Sequence, residues 1–97
     1  MIKVILDNNK IEITGHAYFD DIGKDIVCAS VSSIVITTIN ACIEIDDDSI
    51  NYEDLDNKIK IEILNDNEVI KKLIDNMVFM LEGLEKDYPK NIKILRR

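Results

Sequence analysis

The spacing of apolar residues switches from two to between three and four, returns to two, and then switches again. That double change of period constrains the fold more than any other feature of the chain. Ile2, Val4 and Leu6 alternate with Lys3 and Asp7, although Ile5 breaks the pattern. Ile11 and Ile13 alternate with Lys10, Glu12 and Thr14. These segments predict strands over residues 2–7 and 10–15, joined at the turn signal Asp7-Asn8-Asn9-Lys10 as a hairpin. From Asp25 to about residue 45 the period becomes helical. Cys28, Val31, Val35, Ile39 and Cys42 form one stripe, with Val27, Ile34 and Ala41 beside it. So much of the circumference is apolar that this helix is expected to be central and buried. Its Val, Ile and Thr residues are mediocre helix formers, so tertiary burial has to override propensity.

The second half repeats the alternation. Asp46-Asp47-Asp48-Ser49 is a polar break, followed by a short strand over residues 49–54 and a clearer one over 57–64. In the latter, Ile59, Ile61 and Ile63 alternate with Lys58, Lys60 and Glu62. Asn65-Asp66-Asn67 turns the chain and caps the next helix. Residues 68–86 form an amphipathic helix whose stripe includes Ile70, Leu73, Ile74, Met77 and Leu81. Its methionines are best read as core filler. Pro89 ends the helical region, and Ile92, Ile94 and Leu95 form a last short strand. The expected fold class is α+β, in the order β-β-α-β-β-α-β. It is one domain over residues 1–97, a small mixed or antiparallel sheet with one buried helix and one amphipathic helix. No internal repeat and no dividing linker is visible.

Composition narrows the function. The 97 residues are 46% apolar, enough for a core without disulfides or metal. Acidic residues outnumber basic ones, 19 to 12, for a net charge of −7. Phosphate binding needs a basic face, so direct nucleic-acid binding is not expected. The charge suits either simple solubility or the steering of a basic partner. Unbroken apolar runs fall short of the ~20 residues of a membrane span, and no leader is visible, so a cytosolic protein is expected. On one helix, Cys28 and Cys42 would sit roughly 21 Å apart, too far to bridge. One histidine and two separated thiols make a poor zinc set, so neither metal nor cofactor is expected.

The chemistry concentrates near one short segment. His16, the only histidine, stands in Gly15-His16-Ala17 at the end of a strand. Cys28 follows at the start of the long helix, after a loop over 16–24 that contains Gly23. A thiol in the first helical turn is favoured as thiolate by unpaired N–H groups and the macrodipole. A protonated imidazole nearby would favour it further and can hand a proton to a leaving amine. The same N–H groups could hold an oxyanion. Each residue also has a plainer role. Cysteine is commonly an inert core residue. Asp25 caps the helix whether or not it orients His16. Ser32 can bond back to the preceding turn, and Gly15 can simply let the strand end closely.

At these residues the chain resembles the ribosomal-processing cysteine proteases of bacteria. The matching pattern is Gly15-His16-Ala17, Gly23, Asp25-Ile26-Val27-Cys28-Ala29 and Ser32, with the same interval from histidine to cysteine. Length, element order and the Tyr88-Pro89 segment agree as well. The resemblance implies a homodimeric endopeptidase that removes the N-terminal extension of a large-subunit ribosomal protein precursor. Cys28 would be nucleophile and His16 general base and acid. Gly15, Ala17, Gly23, Asp25 and Ser32 would support the site or bind substrate. Apolar or aromatic residues would precede the cut. The chain departs from the family at Tyr18-Phe19, where a small residue is common. These aromatics either contact substrate or pack inward. The alternative functions are a non-catalytic module that binds a ribosomal protein during assembly and, ranked last, a redox sensor at Cys28.

Overall fold

The computed structural model describes residues 1–15, 22–65 and 67–97, with residues 22–25 described by backbone alone. Its elements are β1 (Ile2–Asp7), β2 (Lys10–Thr14), α1 (Ile22–Ile45), β3 (Ile50–Leu55), β4 (Lys58–Ile63), α2 (Glu68–Asp87) and β5 (Ile92–Arg96). The order is the one expected, and most boundaries agree within a residue or two. The strands form one mixed sheet in the order β3-β4-β2-β1-β5. All neighbours are antiparallel except β1 and β5, which are parallel.

Register follows from the alternation. Val4 lies opposite Ile13 and Ile94, while Ile11 and Ile13 lie opposite Ile61 and Ile59. A period of two puts all of these on one face. That face joins both helices in a single core with Val27, Val35, Ile70, Met77 and Leu81. The opposite face keeps the polar partners, and Glu12 there stands 3.9 Å from both Lys58 and Lys60. Such exposed pairs add little stability.

Helix α1 forms against its propensity because of what it buries. Val27, Val31, Val35, Ile39 and Cys42 make one covered stripe. Each buried aliphatic side chain is worth about 1.5–3 kcal/mol, against a propensity deficit of well under about 1 kcal/mol per residue. Burial wins. Thr38 satisfies its hydroxyl by donating to the Ile34 carbonyl at 2.8 Å. The helix is not enclosed all round, however: Ile26, Ile36 and Ile45 stay exposed. By length and composition alone, Ile26–Ile45 is also apolar enough to cross a membrane. In this fold its covered stripe is core.

The start of α1 corrects one expectation. The loop expected over 16–24 is already helical from Ile22, so Asp25 lies in the first turn rather than at the cap. Gly23 costs a helix only about 1 kcal/mol, and an acidic residue suits any position in the first turn. Neither residue therefore marks the boundary.

The other breaks behave as their residues suggest. Asn8 takes φ 53° in the first hairpin, a left-handed conformation asparagine tolerates. After α1, Asp46 accepts from the Asp48 N–H at 3.0 Å and the Asn65 amide at 3.3 Å. The buried Ser49 hydroxyl donates to the Cys42 carbonyl at 3.2 Å. Asn67 caps α2, accepting from the N–H groups of Val69 at 2.9 Å and Ile70 at 3.3 Å. Replacing it (Asn67→Ala) is expected to lower the unfolding free energy by about 1 kcal/mol, read as a lower urea midpoint at unchanged slope.

Candidate active site

Cys28 borders a cleft of about 280 Å³ between α1 and the β3–β4 turn. One wall is helical. Cys28, Ser32 and Ile36 are spaced four apart and share a face of α1 that lines it. The other wall is the hairpin tip from Asp54 to Ile59, and Ile2, Ile13 and Gly15 also line the cleft. Cys28 is half-buried and packs on the core, Ser32 is exposed, and Leu55 is 48% exposed. The cleft is thus apolar along its middle with charged groups, Asp54, Asp56 and Lys58, at the hairpin end.

Gly15 is fixed by steric demand. Its φ is +87°, and a Cβ there would overlap the Met1 carbonyl oxygen. Its N–H donates to the Asn57 carbonyl at 3.1 Å, tying the end of β2 to the hairpin that walls the cleft. Only glycine meets both requirements. The chain leaves β2 beside the cleft through this residue, and the next residue is His16.

His16 and Ala17, like Tyr18 and Phe19, lie outside the described residues. Gly23 and Asp25 fall in the first turn of α1, and the Asp25 side chain lies outside the described part. Of the predicted site residues, Gly15, Cys28 and Ser32 are brought together. The hairpin wall, Asp54 to Lys58, went unnoticed in the sequence. Its signal was present as a two-residue turn, Asp56-Asn57, flanked by alternation, but nothing local ties that turn to a cysteine on another element.

The expected dipole assistance to the thiol is reduced. With α1 starting at Ile22, Cys28 is its seventh residue and lies in the second turn. The unpaired N–H groups belong to the first four residues, and the dipole effect fades beyond the first turn. The N–H of a seventh residue is engaged within the helix. Both the thiolate stabilisation and the oxyanion donors expected at the helix start therefore sit at least about 4.5 Å along the axis from Cys28.

The second cysteine differs in kind. Cys42 is fully buried, and burial pushes its thiol above the ordinary 9.0. Both cysteines lie on α1, so helix geometry holds them roughly 21 Å apart and they cannot bridge. Two larger hollows among the described residues do not include Cys28. One is the α1–α2 groove, lined by Ile34, Phe79, Met80 and Leu84, and the other lies over the charged sheet face.

The family model described as cysteine protease Prp matches residues 1–93. The ribosomal processing cysteine protease Prp of Bacillus subtilis is 30% identical over 93 residues, covering 86% of this chain and 80% of that one. Its counterpart in Staphylococcus aureus is 30% identical over 83 residues, covering 82% and 78%. The crystal structure of the essential ribosomal processing protease Prp from S. aureus, in complex with a substrate peptide, superposes with a TM-score of 0.90 over 100% of both chains at 24% identity. That likeness speaks for the fold.

Alkylation should separate the two thiols. In the folded protein iodoacetamide is expected to modify Cys28, and Cys42 only after denaturation, as read by peptide mass. Because the folded state holds the Cys42 proton more tightly, the unfolded chain loses it first. Its contribution to stability is therefore complete below pH 9.0 and declines as pH rises further. A Cys42→Ala variant should lack that part of the alkaline decline.

Proposed function

Since the chain belongs to the ribosomal-processing cysteine protease family, we propose that it removes the N-terminal extension of a large-subunit ribosomal protein precursor with Cys28 as nucleophile and His16 as acid and base. The observation that carries this reading is one cleft lined by both Cys28 and Gly15, the residue bonded to His16. Cys42 is a poor candidate for the nucleophile, being buried and held protonated.

The chemistry runs in two halves. His16 takes the Cys28 proton, and the thiolate attacks the scissile carbonyl carbon, whose π pair moves to oxygen. The tetrahedral adduct collapses, the C–N bond breaks, and the amine leaves with the proton returned from His16. A thioester remains on Cys28. His16 then deprotonates a water that attacks it, releasing the carboxylic acid and restoring the thiol. The activation of Cys28 falls to the imidazole in this reading. Gly15 and Ser32 border the reacting region, while Ala17, Gly23 and Asp25 belong to the segment that joins the dyad.

The α1–α2 groove supports a homodimer. Phe79 is 68% and Met80 47% exposed on it, side by side with Ile34 and Leu84, an apolar face that a second copy could cover. The separated, unbridged cysteines suit a reducing cytosol.

Purified protein incubated with the precursor and read by mass is expected to release the extension. Cys28→Ala and His16→Ala should each remove cleavage by a factor of at least about 10³ while the circular dichroism spectrum is retained. Either variant cleaving at the normal rate would refute the dyad, and binding without cleavage would favour the assembly-module alternative. For the dimer, Phe79→Asp should lower the sedimenting mass to that of one chain.

A further inference from the structure

We propose that the open edge of β3 is a docking strand, on which an extended peptide bearing lysine or arginine pairs main chain to main chain and is led past Asp54 into the Cys28 cleft. The proposal rests on the protease reading of that cleft and adds how substrate reaches it. The edge is defined by hydrogen bonding. The Leu64 N–H donates to the Ser49 carbonyl at 2.8 Å, in register with Ile50 opposite Ile63. Antiparallel ladders alternate bonded and non-bonded pairs. Asn51, Glu53 and Leu55 therefore bond to β4, while Tyr52 and Asp54 direct their N–H and C=O groups away from it. Among the described residues, neither of those two N–H groups makes a hydrogen bond.

The other edge of the sheet is blocked at two of its outward N–H groups. On β5 the outward N–H of Ile94 donates to Glu85 Oε2 at 2.8 Å, and that of Ile92 to the Tyr88 carbonyl at 3.3 Å. Exposed edges are commonly blocked in this way. Among the described residues no such bond occupies the β3 edge, and its far end, Asp54 and Leu55, is itself a wall of the cleft beside Cys28. Strand addition suits a protease because an extended main chain presents its peptide bonds in regular order.

Charge selects the occupant. Residues 44–57 contain seven acidic residues and no lysine or arginine, and the lysines that follow on β4, Lys58 and Lys60, each stand 3.9 Å from Glu12. A second copy of β3 would set Glu53 and Asp54 against their equivalents, and like charges across strands repel. The β5 of a second copy has already used the outward N–H groups of Ile92 and Ile94. A cationic extended peptide meets neither obstacle.

Proline tests the edge directly, since it is tolerated where the N–H faces solvent. Tyr52→Pro deletes the outward donor, whereas Tyr52→Ala deletes only the side chain. With both variants folded by circular dichroism, kcat/KM on the precursor is expected to fall about tenfold further in Tyr52→Pro than in Tyr52→Ala, through KM. Equal values would overturn the proposal. A second arm needs no cleavage. The Cys28→Ala protein is mixed with a short peptide alternating lysine and threonine, or with one alternating glutamate and threonine, and amide exchange is followed. Protection at Tyr52 and Asp54 with the lysine peptide alone is expected. No protection, equal protection by both peptides, or protection that grows with protein concentration without peptide would each overturn it. If the wild-type protein leaves the precursor intact while the lysine peptide still protects the edge, the protease reading fails and the docking strand stands.

Discussion

The packing of one β-branched helical stripe on an isoleucine-faced sheet holds this molecule together. Val27, Val31, Val35 and Ile39 on α1 meet the same core as Val4, Ile11, Ile13 and Ile61. Neither partner is satisfied alone. The helix has too little intrinsic propensity to persist in water, and a sheet with one apolar face needs a cover. Chemistry follows from that contact. The stripe fixes the rotation of α1, and a residue next to the stripe, Cys28, is thereby turned toward the hairpin tip of β3 and β4.

Rotation of the helix also explains how the site differs from its local appearance. A cysteine near a helix start suggests a thiol served by the dipole. Beginning α1 at Ile22 moves Cys28 into the second turn, where that service is weak. What brings Gly15 to the same cleft is a steric and hydrogen-bonding constraint on another element. The Met1 carbonyl leaves no room for a side chain, and the Asn57 carbonyl anchors the N–H.

Much of this was legible in the sequence. Alternation over residues 2–7, 10–15 and 57–64 placed three strands and their inward faces, because a period of two leaves little freedom of register. Asn67 was readable as a cap because its side chain acts within three residues. Cys28, Gly15 and Ser32 were readable as neighbours through the family pattern. The start of α1 was not legible, since glycine and aspartate are tolerated in a first turn as readily as they end a loop. The hairpin wall was not legible either, because it reaches Cys28 only through sheet order. The outer face of α1 was misjudged for a related reason. Apolar composition all round a helix shows what can be buried, and only the number of covering layers decides what is.

One pairing has a bearing on when the molecule becomes itself. Ile2 of β1 lies beside Ile92 of β5, so a middle strand of the sheet acquires its second neighbour from the far side of the sequence. Contacts of such long separation are slow to form, because the intervening chain must be ordered first. During synthesis the N-terminal hairpin has to wait with one flank bare until the last strand emerges from the ribosome. Until β5 is made, β1 offers an unsatisfied edge, and that bare flank is the part of the nascent sheet most open to wrong partners.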